Sequence, residues 1–303
     1  MMRIRGRPVV LWRVLQLVVM FLAFVIALII TFSPGKATFD ITAETEYVRY
    51  LPQLDPAQHW PMDSVSLFGA EETTPRVVSG DLRFTDPVQV TLERRSGGPL
   101  LVKLEPTRER KQEGSDLALR IGVFREHGGE SRTLYENAVI EIHGIEGRSI
   151  QRGKPIVFAV RGSLEVGRSV QSEPDASLAL LRSGKVTKFV RSLWGNGVVM
   201  AGSRELGIGD EVTIDRPLSP ELGLVRVDER PAMSVAYRAD ARSVRVGRPG
   251  GSDYRIRMYA VERVLADPML QALWTTLLFL FGCFTSLIGY SKGTQQSKAD
   301  EYP

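Results

Sequence analysis

The sequence predicts a mainly β protein, built of sandwich or small-barrel modules and flanked by N- and C-terminal transmembrane helices. Three observations predict it. Residues 14–32 and 268–290 are apolar runs with no charged side chain, each long enough as a helix to cross a hydrocarbon core of about 30 Å, which takes about 20 residues. Between them, short apolar runs alternate with polar residues and are punctuated by Gly, Pro, Asn and Asp, the pattern of strands and turns. No long amphipathic helix lies between the two runs, which argues against a coiled-coil stalk.

The first element follows from charge and length. Arg3, Arg5, Arg7 and Arg13 precede the first run, with no acid among residues 1–13. A cluster of this kind holds its end of a span in the cytoplasm. The 14–32 run has 19 residues, longer than the roughly 7–15 of a signal-peptide core. No Ala-x-Ala follows it, so an uncleaved anchor is expected. Ser33-Pro34-Gly35 ends the helix. Residues 33–150 and 151–267 then form the first and second parts of a β-domain across the membrane.

In the first part, Phe39, Ile41 and Ala43 alternate with Thr38, Asp40, Thr42 and Glu44, predicting a half-buried strand. Pro52, Pro56 and Pro61 predict a loop around Trp60. Strands are expected at 64–68, 76–84, 88–94, 100–105, 117–124 and 138–143, with a hairpin turn at Gly97-Gly98-Pro99. Residues 105–116 are strongly charged and read as a solvated loop. Glycines 144, 147 and 153 predict a boundary near residue 150.

The second part opens with strands at 155–160 and 163–166. Ser172 and Pro174 suit the start of a short helix. Further strands are expected at 186–193, 198–202, 211–214, 224–227, 233–237, 243–246 and 254–264. Gly207, Gly209 and Asp210 predict a turn, because glycine supplies backbone angles that other residues resist and aspartate caps a bend. Tyr254, Ile256 and Met258 face one way, with Arg255 and Arg257 on the other face.

The second span starts at Asp267-Pro268, an N-cap followed by proline at the first helical position. Trp274 and Tyr290 suit the two membrane interfaces. Gly282, Cys283, Thr285, Ser286 and Gly289 make one side small, as close packing against the first span or another subunit requires. Residues 291–303 form a short cytoplasmic tail.

Composition narrows the function classes. The chain is 43% hydrophobic and 24% charged, which fits a folded domain and not a disordered linker. Its one cysteine, Cys283, lies in the second apolar run, which excludes a disulfide framework and a cysteine-ligated zinc site. The net charge of +4 comes from residues 1–13 and from residues 226–263, which carry nine arginines against five acids. That distribution is not the spread basic surface of a nucleic-acid-binding fold.

Chemistry-bearing motifs are sparse. His59, His127 and His143 have no metal-ligand spacing. There is no Gly-x-Ser-x-Gly elbow, no Ser-x-x-Lys box and no phosphate-binding glycine loop. No cofactor or metal is expected. The candidate interaction surface is the arginine-rich segment, with Arg238, Arg242, Arg245, Arg255 and Arg257 available to acidic partners or lipid headgroups. Trp60 and Trp194 are candidates for stacking on a sugar or inserting into a partner, against the competing role of closing a β-core.

These observations predict a non-enzymatic two-pass protein of the bacterial inner membrane, with both termini cytoplasmic and a periplasmic β-domain. Its expected role is a scaffold or interaction subunit of a cell-envelope complex. Its expected partners are the lipid bilayer and other envelope proteins or further copies of itself, and not nucleic acid. One alternative is a periplasmic module that binds or senses glycan or peptidoglycan. A second is a membrane-tethered hydrolase whose carboxylates meet only in space.

Overall fold

In the computed structural model, the described residues are 7–32, 37–53, 59–68, 76–85, 88–95, 97–107, 119–142, 155–167, 180–192, 197–214, 223–248 and 251–299, with side chains from 15 to 286. The chain is mainly β, with helices at both ends. It forms two units. One contains Lys36–Phe189 and Gly202–Met258; the other contains Met1–Gly35, Val190–Ala201 and Tyr259–Pro303.

The β-unit is built around two sheets. The smaller has the order β10 (Ile156–Val160), β15 (Gly223–Val227), β16 (Met233–Ala241), β1 (Ala37–Thr45), β12 (Leu181–Arg191), β13 (Val198–Leu206). The larger begins with β18 (Tyr254–Arg257), β17 (Ser243–Gly247), β14 (Glu211–Ile214), β11 (Gly162–Val166), β2 (Tyr47–Pro52) and β5 (Val88–Glu93). It continues through β6 (Leu100–Pro106), β9 (Val139–Ile142), β3 (Trp60–Phe68), β4 (Arg76–Phe84), β7 (Arg120–Glu126) and β8 (Ser131–Tyr135). Every pairing whose register is described is antiparallel. Strands from either side of residue 150 share both sheets: β1 pairs with β12 and β16, and β2 pairs with β11.

The sequence pattern explains the core. In β1, Phe39, Ile41 and Ala43 are buried, as the period-two alternation requires. The same alternation buries Val244, Val246 and Ile256 in β17 and β18, and leaves Arg245, Arg255 and Arg257 exposed. Trp60 joins the two sheets. Its ring stacks near Tyr50 of β2 and packs against Phe84 of β4 and Phe158 of β10. Its Nε1–H donates to the Ala159 carbonyl at 2.9 Å, so the indole is buried with its one donor satisfied. From β16, the Tyr237 hydroxyl donates to the Gly162 carbonyl of β11.

The predicted turns form as written. Gly98 N–H closes on the Arg95 carbonyl at 2.8 Å between β5 and β6. Between β13 and β14, Gly209 takes φ +78° while the Asp210 carboxylate accepts from Gly207 N–H at 2.8 Å.

Two expectations are corrected. The loop around Trp60 is a strand: Pro61 lies before the 65–68 stretch that pairs with β9, where β3 has β4 alone as partner, and a bulge between Met62 and Val65 absorbs the irregularity. The strand expected over 254–264 stops at Arg257. It is followed by a helix, α2 (Ala260–Ala266). Strands β2 and β8 were not anticipated. The boundary near residue 150, residues 172–179 of the short helix expected after Ser172, His143 and Trp194 lie outside the described residues, while Leu181, expected at the end of that helix, opens β12.

The helical unit contains α1 (Arg7–Phe32), α2 and α3 (Pro268–Ala299). α1 and α3 are long and apolar enough to span a membrane. Of their apolar stretches only 11% and 6% is buried, so neither is a core helix of this chain. Asp267 caps α3 as expected, its carboxylate accepting from Met269 N–H at 2.9 Å with Pro268 leading the helix.

Candidate functional site

The arginine-rich segment divides by what its guanidinium groups touch. Arg226 and Arg230 bind Asp228, at 3.4 and 2.9 Å, and Arg230 also reaches Glu44 at 3.1 Å. Hydrogen bonds from Arg230 hold the Asp228 carboxyl below the usual carboxylate range, against the opposing effect of burial. Arg238 pairs with Asp40 across the β1–β16 ladder at 2.7 Å and lies over the Phe189 ring. Arg248 reaches the buried Asp210 at 3.3 Å and sits over the Tyr254 ring, which Arg204 also faces. These arginines are spent on the fold.

Arg242, Arg255 and Arg257 differ: all three are exposed, and none makes an ion pair among the described residues. Arg242 lies in the bend between β16 and β17. In the β17–β18 register, Arg255 stands directly opposite Arg245, with Arg257 two residues further along the same face. Like charges placed opposite one another destabilise a sheet. The neutralising acid, Glu211, lies 3.9 Å from Arg245. Three arginines therefore share a face at the open edge of the larger sheet, because β18 is its terminal strand.

The row continues inward. From Arg255 and Arg245 the ladder passes to Thr213, Glu165, Arg49, Thr91 and Lys103 on successive strands. Glu165 and Arg49 pair at 3.3 Å. Burial pushes the Glu165 carboxyl above the usual range, Arg49 opposes that, and the neighbouring Glu211 adds to it. Burial alone would lower Arg49, but Glu165 and Tyr47 raise it instead. Further along the sheet, Glu93 behaves oppositely. Burial would raise it, yet hydrogen bonds from Lys103 and Arg95 hold it below the usual range.

Of the residues singled out from sequence, the structure brings together Arg245, Arg255 and Arg257, with Arg242 at the neighbouring bend. Arg238 is tied to Asp40 on the smaller sheet. Trp60 is corrected from a contact residue to a core residue: at 1% exposure it offers nothing to a partner, because its ring fills the space between sheets. Sequence reading missed Arg94, a buried guanidinium donating to the carbonyls of Gly98, Asp228 and Arg230. Its carbonyl partners are invisible in a sequence, since any residue supplies one.

The helical unit holds a second polar junction. Trp274 Nε1–H donates to the Thr31 hydroxyl at 3.0 Å, and its ring meets Phe24 edge-on at 5.5 Å. Arg263 donates to the Ile30 carbonyl at 3.2 Å. Ser192 donates to the buried Asp267 at 3.1 Å. The end of α1 and the start of α3 are thus held side by side. The small residues of α3 do not make this contact: Gly282, Cys283, Thr285 and Ser286 are exposed, and the bulky indole fills the gap between the helices instead.

No family model, curated protein or solved structure matches this chain, so its function is argued from these residues alone.

Proposed function

We propose that this protein is a non-enzymatic scaffold of a bacterial cell envelope, anchored in the inner membrane by α1 and α3 with a periplasmic β-domain between them. Two features support the two-span arrangement. The exposed apolar sides of both helices suit lipid, and the junction at Thr31, Trp274 and Arg263 sets the end of one beside the start of the other. Antiparallel spans return both termini to one side, and the arginines before α1 favour the cytoplasm for that side.

The observation that carries the scaffold reading is the row Arg245, Arg255 and Arg257 at the edge strand β18. An edge strand offers unpaired backbone groups to another strand. Arg255 and Arg257 lie on one face, two residues apart, so an added strand with acids at alternate positions would answer both the ladder and the charge. The partner is therefore an acidic β-strand of another envelope protein.

The test is photo-crosslinking in living cells from a probe at the exposed position 252, just before β18, followed by identification of the captured protein. Capture of a distinct envelope protein that is lost in Arg255→Glu/Arg257→Glu supports the reading. A probe that captures no protein, together with a monodisperse monomer in mild detergent, overturns it. A probe that captures only lipid also overturns it.

A further inference from the structure

Helix α2 is polarised the wrong way for a helix in water. Its two charged side chains are turned toward the protein and used there: Glu262 is half-buried and accepts from the Tyr259 N–H at 3.2 Å, while Arg263 is half-buried and donates to the Ile30 carbonyl. Two of its large apolar side chains, Val261 and Leu265, face out, while Val264 is half-buried. Val261 and Leu265 are each 68% exposed, and the flanking Tyr259 and Met269 are 61% and 46% exposed. Positions 261 and 265 are four apart and share one face of α2, while Met269 lies on α3 beyond the extended Asp267.

A helix that faces water does the reverse, hiding its apolar stripe and exposing its charges. The stripe has a neighbour that says what covers it. Asp267 alone separates α2 from α3, the backbone hydrogen bonds run on through it from Arg263 to Gln271, and Met269 belongs to the apolar helix itself. In the same unit, Val198 and Met200 of the 190–201 segment are each 52% exposed. Ser192 of that segment holds Asp267, so this second apolar group is fastened to the start of α3.

We infer that α2, with Val198 and Met200, forms an interfacial collar that lies in the boundary between headgroups and acyl chains around the start of the second span. Val261, Leu265 and Met269 enter the acyl boundary, and Tyr259 sits at headgroup depth, where its ring is apolar and its hydroxyl stays wet. The collar would fix the depth and rotation of α3, since two anchoring points resist sliding where a single span does not. This rests on the two-span reading.

The experiment uses the full chain in vesicles of equal parts phosphatidylethanolamine and phosphatidylglycerol, with a bimane probe on single cysteines. The native Cys283, exposed on α3, reports whether that helix is in lipid. In a Cys283→Ser background, Val261→Cys and Leu265→Cys report on the collar, and Thr133→Cys on the exposed face of β8 reports on water. Most of the fluorescence at 261 and 265 should be lost to lipids carrying a shallow nitroxide and little to aqueous iodide, with 133 showing the opposite. If 283 is quenched from lipid while 261 and 265 follow 133, the collar is overturned and the spans stand. If 283 is not quenched from lipid, the two-span reading falls and the collar with it.

Discussion

The two units use tryptophan for opposite ends. Trp60 in the β-unit is enclosed by Tyr50, Phe84 and Phe158 and gives its N–H to a backbone carbonyl. Trp274 in the helical unit is half-exposed, meets one ring and gives its N–H to the Thr31 hydroxyl. The first residue makes a core; the second pins two helices at a single point and leaves the rest of their surfaces open. The contrast extends to neighbouring charges. On β17 and β18 charged side chains face out and apolar ones face in, whereas on α2 the order is reversed. The same chain therefore hides its apolar side chains in one unit and leaves many of them exposed in the other.

The sharpest way to break this comparison is to truncate both rings. Trp60→Ala removes the side chain that joins the two sheets and should cost about 3–5 kcal/mol, the range for a buried large aromatic. Chemical denaturation followed by far-ultraviolet circular dichroism reads this as a lower midpoint. Trp274→Ala should leave that β-transition where it was, while loosening the junction of α1 and α3 so that a disulfide engineered across them forms more slowly. Equal losses of β-stability in the two variants would dissolve the distinction.

A smaller effect sharpens the electrostatic side. Glu93 is 2% exposed at its side chain and is bonded by Arg95 and Lys103. Its carboxyl is held below the usual range, so its contribution is present above the ordinary glutamate value and fades as pH falls through the lower folded value. Glu93→Gln should cost about 1.5–3 kcal/mol at neutral pH, the range for a hydrogen bond to a charged group. The two denaturation midpoints should converge in acid. Below that comes the cap of α3: Asp267→Ala removes the acceptor for Met269 N–H and Ser192 and should cost about 0.5–2 kcal/mol. It should be read in the helical unit by hydrogen exchange at residues 269–271, with β-unit exchange unchanged.

Much of this fold was legible because alternation is a local signal. Phe39, Ile41 and Ala43 announced β1, and the turns at Gly97 and Gly209 announced themselves through residues that tolerate unusual backbone angles. Asp267-Pro268 marked the start of α3 for the same reason. What failed was competition between local signals. Three prolines outweighed the strand at Trp60, and the alternation of Arg255 and Arg257 hid the four-residue spacing of Val261 and Leu265 that makes α2. Strand β8, Ser131–Tyr135, is short and polar and pairs only because β7 lies beside it. The site divided in the same way. Which arginines share a strand face could be read from sequence, but their acids lie far away in the chain, as Arg238 and Asp40 or Arg49 and Glu165 show. Pairing, and hence which arginines remain unpaired, belongs to the register.

The smallest expected effect has the most diagnostic sign. Glu165 faces Arg49 much as Glu93 faces Lys103, and a count of ion pairs would treat the two glutamates alike. Their surroundings separate them. Glu165 loses more from burial and from the nearby Glu211 than it gains from Arg49, so its carboxyl is raised where that of Glu93 is lowered. A raised carboxyl contributes fully below the ordinary glutamate value, and the contribution is lost as pH rises through the higher folded value. Glu165→Gln keeps the neutral shape and removes the ionisation cost. The variant should therefore match the parent in acid and equal or slightly exceed it at pH 8, while Glu93→Gln falls below the parent there. Denaturation midpoints of the two variants across the acid-to-neutral range should diverge in opposite directions. If Glu165→Gln instead loses stability at pH 8, its pair with Arg49 outweighs burial, and this stretch of the ladder is a stabilising seam rather than a strained one.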